Sequence, residues 1–115
     1  MDIKEKSNRE MSFYKTQKLI RSTKWKLNQI YETGIVPDVA HYEDVEVVFG
    51  PMHIYAMFKN RLDKFPYRFI SPNMFEVEVD NHRVKCRIDT VQKDALIFHA
   101  DLDQSHFIIE MEKAV

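Results

Sequence analysis

Asn73-Met74-Phe75-Glu76-Val77-Glu78-Val79-Asp80-Asn81-His82-Arg83-Val84-Lys85-Cys86-Arg87-Ile88 is the stretch that decides how this chain folds. Phe75, Val77 and Val79 alternate with Glu76 and Glu78, and Val84, Cys86 and Ile88 alternate with Arg83, Lys85 and Arg87. Alternation with period two marks strands that bury one face. Asp and Asn tolerate positive φ, so Asp80-Asn81 reads as a two-residue hairpin turn. That turn sets Val79 opposite His82, Glu78 opposite Arg83, Val77 opposite Val84, Glu76 opposite Lys85 and Phe75 opposite Cys86. Apolar side chains then meet on one face, with only the Val79–His82 pair mixed, and acid meets base on the other. A slip of one residue would put Phe and Val opposite Arg and Lys. Each favourable cross-strand pair contributes roughly 0.2–1 kcal/mol, so the ladder as a whole selects this register.

The pattern extends in both directions. Downstream, Gln92-Lys93-Asp94 turns into an inward row of Leu96, Phe98 and Ala100, and Asp103-Gln104 turns into Phe107, Ile109 and Met111. This register sets His99 opposite Ile108 and His106 opposite Asp101, with both histidines outward and solvated. Upstream, Phe65, Tyr67 and Phe69 precede a Ser71-Pro72-Asn73 turn. Val45, Val47 and Phe49 lead into Gly50-Pro51, which reads as a two-residue type II′ loop pairing Phe49 with Met52, Val47 with Ile54 and Val45 with Ala56. Leu19 to Tyr31 reads as a long first strand, with Trp25 plugging one end of the core. Ser12 to Lys18 reads as a short helical turn, residues 32–43 as a long loop and residues 59–64 as a basic connector. Eight strands result, at about 19–31, 44–49, 52–58, 65–70, 73–79, 82–91, 95–101 and 105–112. They predict an all-β, eight-stranded up-and-down antiparallel barrel over residues 18–115, preceded by a polar, helical or disordered arm over 1–17.

With 115 residues the chain makes one domain. Two glycines exclude a Gly-rich phosphate loop, and the single Cys86 has no intramolecular partner and falls in an inward row, where a small buried hydrophobe is expected. Residues 1–30 carry eight Lys/Arg against three Asp/Glu, and residues 31–115 carry nine against fifteen. The basic residues are scattered, with no aromatic interleaving, so a solvated terminus is expected rather than a nucleic-acid interface. No apolar stretch of membrane-spanning length and no signal-peptide pattern is present, so the chain as written reads as cytoplasmic.

Candidate chemistry is sparse. His41, His53, His82, His99 and His106 lack the close spacing of a metal motif, so no metal and no cofactor is expected. Glu76, Glu78, Glu110 and Glu112 fall on outward parity, and Ser22, Ser71 and Ser105 lie in no nucleophile context, so no catalytic residue is expected. The inward rows are the better site. Trp25, Phe49, Phe58, Tyr67, Phe69 and Phe98 are the candidate ligand-binding residues, with Tyr67 and Thr23 the polar groups suited to orient a guest. On the outer face, Val48, Tyr55 and Met57 form an apolar row suited to a protein partner or a second copy of the chain.

The order of packing features resembles the small lipocalin-like domains widespread in Bacteroidetes. A Leu-x-x-x-x-Trp-x-Leu opening has its counterpart in Ile20, Trp25 and Leu27. A Val-x-Phe-Gly hairpin is matched by Val47, Phe49 and Gly50, a Tyr-x-Phe strand by Tyr67 and Phe69, and a Leu-x-Phe strand by Leu96 and Phe98. Ser22-Thr23-Lys24 stands where family members usually carry a glycine. The resemblance spans roughly residues 18–112 and implies an antiparallel barrel with an apolar cavity and no shared catalytic motif. The function expected is therefore a non-enzymatic lipocalin-like barrel that binds a small apolar ligand. The alternative is an interaction module with a filled core that works through an outer sheet face.

Overall fold

Asp80 and Asn81 take φ of 49° and 67°, the two left-handed residues that a type I′ hairpin requires. They join strands Met74–Val79 and His82–Val91, and the ladder between them pairs Phe75 with Cys86, Glu76 with Lys85, Val77 with Val84, Glu78 with Arg83 and Val79 with His82, as the sequence predicts. The chain around this hairpin, seen in a computed structural model that describes residues 14–33 and 45–114, is an eight-stranded antiparallel barrel. Its strands are β1 (Trp25–Glu32), β2 (Glu46–Phe49), β3 (His53–Met57), β4 (Leu62–Ser71), β5 (Met74–Val79), β6 (His82–Val91), β7 (Ala95–Leu102) and β8 (Ser105–Lys113). Each strand pairs with the next along the chain, and β1 pairs with β8 to close the barrel. A helix, α1 (residues 14–22), precedes β1. Of the predicted loop over 32–43, Glu32 instead ends β1 and Thr33 lies in a turn, while residues 34–43, including His41 and Tyr42, lie outside the described residues, as does the segment 1–13.

A β-branched residue forced into the left-handed region costs about 1–2 kcal/mol. Asn81→Val should therefore lower stability by about that amount, whereas Asn81→Gly should hold or raise it. Urea denaturation midpoints of the two variants check this.

Three sequence expectations are corrected. First, residues 19–22 are helical rather than part of β1. Ile20 on α1 is fully buried, and its carbonyl accepts a 3.0 Å hydrogen bond from Trp25 Nε1, so the helix turns back over the barrel end instead of extending it. Second, the β2–β3 loop spans three residues, 50–52, rather than two. Phe49 pairs with Ile54, Val48 with Tyr55 and Val47 with Ala56. The loop closes through Gly50 N–H to His53 O at 2.8 Å. Gly50 is needed for close approach: a Cβ there would lie 3.0 Å from Tyr55 Cε2 and 3.1 Å from the His53 carbonyl. The shift amounts to two residues, so every side chain keeps its predicted face. Third, β4 starts at Leu62, so Leu62, Asp63 and Lys64 belong to a strand and not to a connector.

The interior rows interlock as edge-to-face aromatic contacts. Phe75 lies 5.8 Å from Phe49 and 5.2 Å from Phe98, and Phe49 lies 5.7 Å from Tyr67, all steeply inclined. Among the described residues no charged or polar residue is buried, and no buried side-chain polar atom lacks a partner.

Candidate functional site

The two ends of the barrel differ. At one end lie α1, the Gly50 loop and the turns after β4 and β6. The side chains most deeply buried, with under 2 % exposure, are Trp25, Phe49, Phe75, Ile20, Leu96 and Cys86. They fill this half. Tyr67 locks the seal: its hydroxyl donates to the Gly50 carbonyl at 2.5 Å and accepts from Arg21 Nε at 3.1 Å. The Arg21 guanidinium lies 5.4 Å from the Phe69 ring centroid and 5.9 Å from that of Tyr67. Such a cation over two ring faces adds to the docking of α1.

The structure thus brings Trp25, Phe49, Tyr67, Phe69 and Phe98 together as one aromatic plug with Phe75 at its centre. Phe58 stands apart from them, near the other end, with the Arg61 guanidinium 4.5 Å from its ring centroid. Tyr67, expected as a polar group for a guest, spends its hydroxyl on the seal.

At the opposite end the apolar rows continue, but their side chains are only half-buried. Ile30, Phe58, Val77, Val79, Leu102 and Phe107 pack against the core and keep part of their surface in solvent. Sequence parity placed Phe58, Val77, Val79 and Phe107 inward without showing which end was sealed; Ile30 stood on the outward parity of the first strand and is brought round by the β-bulge between Leu27 and Gln29.

The wall opens on this side between β4 and β5. Their ladder pairs Tyr67 with Val77, Arg68 with Glu76, Phe69 with Phe75 and Ser71 with Met74, and goes no further. The next rung would set Pro66 against Glu78, and Pro66 has no N–H to donate. β4 continues for four more residues, paired with β3 alone: Phe65 with Ile54, Lys64 with Tyr55, Asp63 with Ala56 and Leu62 with Met57. A cleft of about 750 Å3 occupies the gap, lined by residues 62–66 and 78–81, and a second of about 270 Å3 lies further along the wall. Pro66 and Glu78 line both. A proline inside an otherwise alternating strand was the signal in the sequence for this break.

A polar chain runs across β7 and β8 on the outer face. Asp101 Oδ1 is 2.5 Å from His106 Nδ1, and His106 Nε2 is 2.8 Å from His99 Nδ1. The Asp101 carboxylate accepts from His106 Nδ1–H, and the tautomers of the two rings set which of His106 Nε2 and His99 Nδ1 carries the proton between them. The predicted cross-strand positions hold, with His99 opposite Ile108 and Asp101 opposite His106. The side chains are linked to one another rather than separately solvated. Among the described residues no group of three or more His, Cys, Asp or Glu side chains is arranged to hold a metal ion. Nearby, Tyr31 donates to Glu110 at 3.3 Å, and its phenol pKa is raised by desolvation and by the Glu110 carboxylate.

The apolar row on the outer wall is also present. Val48 pairs with Tyr55 and Met57 with Leu62, which is 62 % exposed. No helix among the described residues is long and apolar enough to cross a membrane. No family model matches the chain, and neither curated proteins nor solved structures provide a match.

Proposed function

We propose that this protein is a non-enzymatic, lipocalin-like binding barrel that takes a small apolar ligand at its open end. The observation that carries the reading is the contrast between the ends. One is filled by Trp25, Phe49 and Phe75 beneath α1, while at the other Phe58, Val79, Leu102 and Phe107 remain half-buried. Apolar surface held around a mouth and kept partly wet is surface that a guest buries, at about 25 cal/mol per Å2 removed from water. An eight-stranded barrel is wide enough for one such molecule.

Titration with a long-chain apolar fluorophore should give saturable emission. Leu102→Asp at the mouth, a residue that lines neither cleft of the wall, should weaken binding by about tenfold or more, the effect of a charge placed in an apolar contact. Met52→Asp, at a site 69 % exposed on the sealed side, should leave it unchanged. Emission that never saturates, or equal affinity in both variants, sinks the reading.

A second reading is docking of a protein partner or a second copy through Val48, Tyr55 and Met57. The observation in its favour is the exposed Leu62 beside Met57, which lengthens the row. A concentration-dependent sedimentation coefficient that Met57→Glu abolishes would favour it over the small-molecule reading.

A further inference from the structure

The ladder geometry shows where the β4 backbone points beside the seam. Tyr67 N–H donates to the Met52 carbonyl at 3.0 Å, and Phe58 N–H donates to the Arg61 carbonyl at 2.8 Å. In an antiparallel pair, residues alternate between those that exchange hydrogen bonds with the partner and those that do not. Residues 61, 63, 65 and 67 therefore face β3, and Leu62 and Lys64 turn their N–H and C=O groups the other way, into the gap. Among the described residues no strand meets them there. Such an edge is a template for another chain.

The gap has room for one. Four residues of extended strand occupy about 600 Å3, taking a rise of about 3.3 Å per residue, a strand spacing of about 4.8 Å and a thickness of about 10 Å. The cleft measures about 750 Å3.

Its lining also selects. A strand laid on β4 would point alternate side chains inward, towards Phe65 and Val79, and outward, between Lys64 on one side and Glu78 and Asp80 on the other. Asp63, the third acidic residue of the lining, is held by Arg61 at 3.0 Å. The inward positions call for apolar side chains, and the outward ones, where two carboxylates face one ammonium, call for basic ones.

We propose that the β4–β5 seam is a peptide-binding site that takes an extended segment of another protein, alternating apolar and basic residues, as an added strand antiparallel to β4. This goes beyond the small-molecule reading and does not rest on it, because the contacts that carry it are backbone groups of the wall rather than the apolar mouth.

The test is fluorescence anisotropy of the full chain with a labelled hexapeptide that alternates valine and lysine. Saturable binding is expected. A valine–glutamate counterpart should bind about tenfold or more weakly, through charge mismatch. Lys64→Pro removes the seam-facing N–H and spares the β3 ladder, because residue 64 exchanges no hydrogen bond with β3. It should cost about tenfold or more in affinity, while Lys64→Ala, which keeps the N–H, should stay within about threefold. Should Lys64→Pro fail to fold, a peptide N-methylated on the amides that face β4 makes the same test on the unaltered protein and should lose about tenfold or more. No saturable binding up to roughly 1 mM, or equal affinity for the N-methylated peptide, overturns the proposal. Self-association that competes with the peptide and disappears in Lys64→Pro also overturns it, by making a second copy the occupant. The apolar fluorophore, titrated separately, reports on the mouth and keeps the two readings distinguishable.

Discussion

Replacing Trp25 by alanine is expected to lower the stability of the protein by about 4 kcal/mol, the middle of the range for loss of a large aromatic core side chain. Trp25 is fully buried, and its indole N–H satisfies the Ile20 carbonyl at 3.0 Å. The substitution therefore empties the largest site of the plug, strands a helix carbonyl and removes the surface on which α1 sits. Against a typical total of about 5–15 kcal/mol, that loss brings the chain close to its unfolding threshold. Trp25→Phe retains most of the ring and forfeits the hydrogen bond, so it should cost about 1–3 kcal/mol. Urea denaturation followed by far-ultraviolet circular dichroism measures both. Equal losses in the two variants would show that the hydrogen bond, not the volume, holds the end shut.

Cys86 should make the fold sensitive to alkali. Burial, helped by the Asp101 carboxylate, pushes its thiol up from 9.0 to about 12. Between these values the unfolded chain gives up the thiol proton and the folded chain keeps it. The unfolded state then binds fewer protons, and stability falls as pH rises. This contribution is fully present below pH 9.0 and is lost by about pH 12. At about 1.4 kcal/mol per pH unit it amounts to about 4 kcal/mol across the window. Other groups titrate there too, so the quantity to measure is the difference between wild type and Cys86→Ala in the slope of unfolding free energy against pH from 9 to 11. The wild type should fall more steeply by about 1 kcal/mol or more per pH unit. In the folded protein the same thiol should resist alkylation at pH 8, with modification following global opening.

Much of the barrel was legible because its strands alternate and its turns are chemically explicit. Asp80-Asn81 and the facing Glu and Arg/Lys rows specify one register, and the structure adopts it. Inward parity identified the aromatic plug residue by residue. Other features were hidden for physical reasons. In α1, Lys15, Lys18 and Arg21 recur every third residue, a helical spacing, but nine residues make too few turns for that signal to stand out against the alternation of β1 that follows. In β4, Asp63 occupies an inward position beside an open cleft, so the alternation that marks a strand breaks where the wall stops enclosing a core. The Gly50 loop misled because Gly-Pro suits a two-residue turn, whereas the close contact with Tyr55 that fixes the glycine is a tertiary one. The half-buried mouth and the seam depend on which rungs are missing, and a missing rung is written in the sequence only through Pro66. The linkage of His99, His106 and Asp101 follows from a register that the sequence supplied, but whether the rings turn towards one another is a matter of rotamers.

The β1–β8 ladder has a kinetic consequence. Seven of the barrel's ladders join strands that are neighbours along the chain, while this one sets Trp25 opposite Lys113. Loop-closure entropy grows by only about 0.6 kcal/mol per doubling of length, so shutting the ring costs about 2 kcal/mol more than closing a ten-residue hairpin. The step is therefore affordable at equilibrium but late in time, since hairpins form first and the most distant contact waits for them. Until it forms, the chain is an open sheet with two unpaired borders, the species most exposed to association with its own kind. Lys26, Glu112 and Lys113, which meet on the closing ladder, put charge on both borders during that interval and discourage pairing between molecules.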